Sequence, residues 1–187
     1  TQGHLFFNLE KNTNFDNFNK SNLKFNFEQV SDDTYLKANK LTSPIINDHS
    51  LLENSLTLNL ASNKLDIKSN IIIYEKLNTK SNDKYEYIFP KIELTKYLDN
   101  KTQLNGNFKF RSNNYIHNYN TNIHERANTN NLIFNSEPKI TKNGSYNNYE
   151  FILKNSNTNS RKSNFNKEGE DFYFSGLFQF NSSYPLI

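Results

Sequence analysis

The side chains that could carry acid–base or metal chemistry are few and scattered along this chain. The four histidines are His4, His49, His117 and His124. None has further ligands at metal-binding spacing, and Asp32 and Asp33 are typical of a turn. No glycine-rich phosphate loop, nucleophile elbow or Ser–Asp–His order occurs. We therefore expect no catalytic, cofactor-binding or metal site, no cofactor and no enzymatic activity. We interpret the histidines as exposed residues of loops or strand ends.

A second set of polar side chains alternates with apolar ones. In the cleanest example, NLKFNFEQ over residues 22–29, the leucine and phenylalanines point one way and the polar residues the other. Alternation with period two is typical of a strand with two unlike faces. The polar candidates on this pattern are Lys24, Asn26, Glu28, Lys109 and Arg111. They would suit the water-filled lumen of a barrel, and the phenylalanines and leucines opposite them would suit lipid.

The same alternation recurs along the whole chain and predicts about nine to ten strands with no convincing helix. The predicted strands cover residues 3–11, 22–29, 34–41, 56–61, 65–76, 84–94, 104–119, 130–136, 149–154 and 172–181. Strand 34–41 is predicted to form a hairpin with strand 22–29, and residues 155–170 are predicted to be a long polar loop. Pro90 interrupts strand 84–94 and is expected at a bulge or a rim, since proline donates no backbone hydrogen bond.

Composition narrows the class of protein. The chain has 187 residues, of which 34% are hydrophobic and 14% aromatic, which fits one ordered domain better than a disordered segment. We attribute most of the asparagine to the codon bias of an AT-rich genome. The net charge of +3 comes from scattered charges, so we expect no nucleic-acid partner. The chain has no cysteine and no methionine, which excludes disulfides and indicates an internal fragment of a longer protein.

No apolar run reaches the length of about 20 residues that a membrane-spanning helix needs. This does not exclude a membrane β-barrel, because its strands need only about 9–11 residues with every second one apolar. Tyrosines and phenylalanines near the predicted strand ends fit the interfacial girdles of a membrane barrel, but they also fit the core and rim of a soluble β-sandwich. The residues alone favour the barrel only slightly, through the polar face described above.

Five short segments in a fixed order resemble one family, the barrel region of the lipopolysaccharide-assembly outer-membrane protein LptD, of alphaproteobacterial type. These segments are QVSDDTYL at 29–36, YEYIFP at 85–90, YNTN at 119–122, LKNSN at 153–157 and FNSSYPL at 180–186. The resemblance covers almost the whole chain. It rests on the ordered set, since no single segment is highly specific.

This resemblance implies an all-β fold: an antiparallel up-and-down meander that is part of a large transmembrane β-barrel in the bacterial outer membrane. Residues 1–187 would then be middle strands of one barrel domain, with N- and C-terminal parts of the parent protein missing. The implied function is insertion of lipopolysaccharide into the outer leaflet. The implied partners are lipopolysaccharide, an LptE-like plug lipoprotein and a periplasmic lipopolysaccharide-bridge protein. Lys24, Lys109 and Arg111 could pair with the anionic groups of the lipopolysaccharide.

Two other functions remain as alternatives at this point. One is a different outer-membrane barrel, such as a porin or a TonB-dependent receptor, which would share only the architecture. The other is a soluble adhesin-like β-module. Fold class alone does not separate them.

Overall fold

The described part of the chain folds into ten strands and one short helix. The computed structural model describes residues 3–79 and 83–184, so part of the predicted loop 78–83 and the end of the 180–186 segment lie outside the described residues. The elements are β1 His4–Asn12, β2 Lys20–Val30, α1 Tyr35–Ala38, β3 Leu51–Ala61, β4 Leu65–Lys76, β5 Tyr85–Leu98, β6 Gly106–Tyr119, β7 Ile123–Ser136, β8 Lys139–Ile140, β9 Tyr146–Arg161 and β10 Gly169–Ser183.

The strands form one antiparallel up-and-down sheet in the order β1-β2-β3-β4-β5-β6-β7-β9-β10, and the two-residue β8 pairs with β9. The predicted all-β antiparallel meander is therefore confirmed. One row of paired residues crosses the whole sheet: Asn8, Asn26, Ser55, Ile72, Ile88, His117, Glu125, Ser160 and Gly169. Within the described residues no pairing joins β1 to β10, so this sheet is open at both edges.

The predicted strand 34–41 is wrong, because this segment turns and forms α1 instead. The carboxylate of Asp32 accepts hydrogen bonds from the Thr34 amide at 2.8 Å and from the Thr34 hydroxyl at 2.5 Å. Such bonds hold an aspartate-initiated turn, which competes with strand pairing. They also hold the pKa of the Asp32 carboxyl below its usual value. As a result, β2 pairs with β1 and β3 rather than with the segment that follows it.

The predicted loop 155–170 is wrong over its first part, since residues 155–161 continue β9 and pair with β7 and β10. Only residues 162–168 connect β9 to β10. Asparagine, serine and threonine fill this half of β9, and they give no hydrophobic alternation. The backbone ladders on both sides hold the strand without it.

Pro90 lies at a bulge, as expected. The register of β5 shifts on both of its sides: between Asn70 and Ile72 against β4, and between Ile88 and Lys91 against β6. The ladder thus skips the position where proline has no amide to donate.

Buried apolar side chains are few. One cluster joins Leu36 of α1 to Leu52 and Leu77, and it lies where the segment between β2 and β3 folds against the sheet. Leu36 and Leu52 are fully buried. Among the described residues no helix has the length and hydropathy to cross a membrane.

Candidate functional site

The two faces of the sheet differ in chemistry over part of every long strand. Paired residues in antiparallel strands point to the same side, so the register assigns each side chain to one face. We call one side the polar face; one residue from each long strand in sheet order is Asn8, Lys24, Thr57, Lys68, Glu93, Arg111, Asn131, Lys154 and Gln179. We call the other the apolar face; the corresponding residues are Phe7, Phe25, Leu56, Ile71, Leu94, Phe110, Leu132, Leu153 and Phe178.

All five polar residues proposed from the sequence lie on the polar face. The structure does not bring them together: Lys24, Asn26 and Glu28 are on β2, whereas Lys109 and Arg111 are on β6. Three strands, β3, β4 and β5, separate the two sets. The two sets are therefore not adjacent within the sheet.

Asn26 and Glu28 are occupied by hydrogen bonds inside the fold. The Asn26 amide accepts a bond from Asn8 at 2.6 Å and donates one to Ser55 at 3.0 Å. Glu28 is only 1% exposed. Its carboxylate lies 2.8 Å from His4 Nε2 and accepts a 2.7 Å bond from the buried Ser43 hydroxyl. These hydrogen bonds link β1, β2, β3 and the β2–β3 connection. They leave few donors or acceptors of Asn26 and Glu28 free to bind a ligand.

The three cations remain accessible. Lys24 and Lys109 are half-buried and Arg111 is exposed. Within residues 3–79 and 83–184, no carboxylate lies within ion-pairing distance of any of them. Lys154 on β9 is in the same row as Arg111, with Asn131 of β7 between them. Sequence reasoning did not propose Lys154, although its alternation with Leu153 carried the signal.

A second polar cluster lies at the opposite end of these strands, around His117. Its Nε2 is 2.8 Å from a Glu86 oxygen, and its Nδ1 is 3.5 Å from a Glu125 oxygen. Glu125 also accepts a hydrogen bond from the Tyr119 hydroxyl at 3.1 Å and another from the Ser163 hydroxyl. The predicted exposure of the histidines is therefore wrong for His4 and His117, whose side chains are 14% and 19% exposed. Their partners come from distant parts of the sequence, so alternation could not reveal them.

A separate set of ion pairs, centred on Lys84, lies at the end of β4 and the start of β5. Lys84, just before β5, lies 2.9 Å from an Asp33 oxygen and 3.0 Å from a Glu75 oxygen. These hydrogen bonds raise the pKa of the Lys84 ammonium well above its ordinary value. The contact fastens the β4–β5 turn to the turn that precedes α1.

The apolar face carries large exposed side chains. Phe7 is 49% exposed and Phe178 is 65% exposed. Neighbouring rings contact each other across strands: the Phe108 and Phe134 centroids are 4.7 Å apart, and those of Phe7 and Phe25 are 6.0 Å apart. No second layer of the described residues covers these rings. The apolar face is therefore available for contact with an apolar environment outside the sheet.

The apolar residues form a band that runs obliquely to the strands. On β1 the band covers Leu5 to Leu9, on both sides of the row that contains Asn8. On β9 the same row contains Ser160, but the apolar residues there are Tyr149, Phe151 and Leu153, well toward the other end of the strand. The band therefore drifts along the strand axis as it crosses the sheet.

No protein-family model matches this chain. No curated protein matches it either.

Proposed function

We propose that this chain forms part of the wall of an outer-membrane β-barrel that inserts lipopolysaccharide into the outer leaflet. In this proposal the apolar face contacts lipid and the polar face lines a water-filled lumen. The observation that carries the barrel is the oblique apolar band on one face of a single antiparallel sheet.

The size of the drift supports a tilted barrel wall. Strands in membrane barrels tilt by about 35–45° from the barrel axis. With a strand spacing of about 4.8 Å and a rise of about 3.3 Å per residue, a 45° tilt moves a level band by about 1.4 residues per strand. The shift from Phe7 on β1 to Phe151 on β9, measured against the row from Asn8 to Ser160, agrees with this value. The slope therefore favours a tilted barrel wall.

The exposed rings also favour lipid over water. Burial of apolar surface is worth about 25 cal/mol per Å², so leaving a face of phenylalanine and leucine in water is costly. Large exposed apolar patches mark interaction or membrane surfaces. The strands of 9 to 16 residues, other than the two-residue β8, are long enough to cross a bilayer, which needs about 9–11 residues.

The lipopolysaccharide part of the proposal rests on the resemblance to the LptD family. The unpaired cations of the polar face add chemical support, because cations on a lumen wall can pair with an anionic transported substrate. These cations are Lys24, Lys109, Arg111 and Lys154. The role is transport without catalysis. An LptE-like plug lipoprotein and a periplasmic bridge protein are its proposed partners.

The test is fractionation of the full-length parent protein, followed by electrophoresis with and without heating. We expect the protein in the outer membrane, with a mobility that changes when the barrel is unfolded by heat. Depletion of the protein should then reduce lipopolysaccharide at the cell surface. A heat-modifiable barrel whose depletion leaves surface lipopolysaccharide unchanged would indicate a porin or TonB-dependent receptor. A product in the soluble fraction would indicate an adhesin-like module.

A further inference from the structure

The apolar face ends abruptly on β6, β7 and β9. Two consecutive rows across these strands and β10 are apolar apart from one glycine: Phe108–Phe134–Phe151–Phe178, then Phe110–Leu132–Leu153–Gly176. The next two rows on the same face carry serine and asparagine: Ser112–Asn130–Asn155, then Asn114–Asn128–Asn157. We call these two rows the amide rows. On β6, β7 and β9 the chemistry of the face thus changes within one residue pair, whereas the same rows carry Leu94 and Ile92 on β5 and Phe174 and Phe172 on β10.

The amides are ordered by bonds to one another. Asn114 donates to the Ser112 hydroxyl at 3.0 Å, and that hydroxyl donates to the Asn130 carbonyl at 2.7 Å. Asn130 donates to Asn128 at 2.6 Å, and Asn128 donates to Asn114. Each of these amides still has a second N–H, and the Asn114 and Asn130 carbonyls each have a second lone pair, whereas the Asn128 carbonyl also accepts a 3.5 Å bond from Asn157. The network therefore presents fixed donors and acceptors with capacity to spare.

A shallow groove of about 600 Å³ lies over the second amide row. Asn114, Asn128 and Asn157 line it together with Arg126, Glu170, Asp171 and Phe172. The three amides are uncharged, and an amide both donates and accepts hydrogen bonds. Hydroxyl groups have the same dual character, whereas a phosphate only accepts and would favour more cations. The aromatic ring beside the amides adds an apolar surface on which a sugar ring can lie.

We infer that the amide rows bind the sugar headgroup of a membrane glycolipid whose acyl chains lie on the adjacent apolar rows. This inference rests on the proposed membrane barrel, because it requires the apolar rows to contact hydrocarbon. The boundary between Leu132 and Asn130 would then coincide with the surface of the hydrocarbon layer. Phe172 and Phe174, level with the amide rows on β10, occupy the position of interfacial aromatic residues.

The test uses the full-length parent protein in vesicles of phosphatidylethanolamine and phosphatidylglycerol that contain a minor fraction of monoglucosyl diacylglycerol. Native mass spectrometry counts the lipids that stay on the protein. We expect the glucosyl lipid to be enriched over both phospholipids. The double variant Asn114→Leu/Asn128→Leu should lower this enrichment by about thirtyfold, since two hydrogen bonds of about 1 kcal/mol each are lost.

The matched control is Asn113→Leu/Thr129→Leu, a cross-strand pair one residue away on the polar face. It should leave the enrichment unchanged. If the first double variant does not insert, the single variant Asn157→Leu replaces it, with an expected loss of about fivefold. Equal loss in test and control variants would overturn the inference, as would equal retention of all three lipids by the wild-type protein.

Two further outcomes separate the possible causes of failure. A wild-type protein that does not enter vesicles would overturn the barrel proposal and this inference with it. A protein that inserts without enriching the glucosyl lipid would overturn only the inference. Maltose added to sugar-free vesicles tests a free sugar: binding as tight as that of the glucosyl lipid would overturn the requirement for a lipid anchor.

Discussion

The Ser43 hydroxyl donates a 2.7 Å hydrogen bond to the Glu28 carboxylate, which joins the connection between β2 and β3 to the polar face. Both side chains are buried, and His4 holds the other carboxylate oxygen. This contact places the connection against the sheet, so it is the first target for mutation.

Ser43→Ala should destabilise the protein by about 1–3 kcal/mol, because one oxygen of the buried Glu28 carboxylate loses its donor. Denaturant unfolding of the parent protein in lipid micelles measures the change, and limited proteolysis should cut the 31–50 segment faster. Thr42→Ala is the control, since the Thr42 hydroxyl bonds to Asn47 at an exposed site. Equal losses in the two variants would contradict the assigned role of Ser43.

The second prediction concerns pH and Lys84. The pKa of Lys84 is raised in the folded state by Asp33 and Glu75. Its contribution to stability is therefore complete below the unfolded pKa of about 10.4 and is lost as the pH rises toward the folded value. We expect a loss of about 1 kcal/mol from Lys84→Met at neutral pH and a flatter stability curve above about pH 10.4.

Lys64→Met provides the comparison for Lys84. The Lys64–Asp99 pair is 2.7 Å long, but both side chains are more than half exposed. Exposed ion pairs contribute little to stability, so we expect Lys64→Met to leave the free energy of unfolding nearly unchanged. A wild-type curve that stays parallel to the Lys84→Met curve through the alkaline range would refute the prediction.

The third prediction tests the two faces directly. Leu56 lies on the apolar face between Phe25 and Ile71, and Thr57 follows it on the polar face. In a bilayer, Leu56→Lys should cost about 2–4 kcal/mol, the usual penalty for lysine at the midplane of a barrel wall. Thr57→Lys should cost less than about 1 kcal/mol, because its ammonium would remain in water. A reversed order would mean that the faces are assigned the wrong way round.

The fourth prediction concerns the polar-face cations. Reversing Lys24, Lys109 and Arg111 to glutamate should reduce lipopolysaccharide export at least about tenfold, since each attraction of about 1 kcal/mol becomes a repulsion. Complementation of a depletion strain, with surface lipopolysaccharide as the readout, measures the effect. Reversal of Lys40, Lys101 and Lys142, which lie exposed in connections, is the control. Normal export in the first variant would leave those three cations as solvated strand residues.

Period-two alternation was a good guide wherever one face is strongly apolar. It predicted β4 with the bounds that the structure has, and it placed the polar residues around Lys24 and Lys109 on one face. It failed where local turn chemistry competes, as at Asp32, and where both faces of a strand are polar, as in residues 155–161. Backbone hydrogen bonds form without apolar side chains, so such a strand shows no alternation of apolar and polar residues in the sequence.

The contacts of the site could not be predicted from the sequence. The bonds of Glu28 reach to His4 in one direction and to Ser43 in the other, and His117 depends on Glu86 and Glu125 from two neighbouring strands. Such contacts depend on strand register, and alternation does not specify the register across a long connection. The amide rows were hidden for a different reason. Asparagine is common throughout this chain, and only the pairing of β6, β7 and β9 shows which asparagines share a face.

The neighbour-to-neighbour order of the sheet bears on how it assembles. Every long strand pairs with the long strand before it in sequence, so each new strand is added to the edge of a ladder that already exists. Most connections are short, and the longest, residues 31–50 between β2 and β3, adds only a small further entropic cost of closure. The growing edge is an unpaired strand at every step and is a template for the next one. The strands can therefore assemble in chain order, each on the edge that the preceding strand provides.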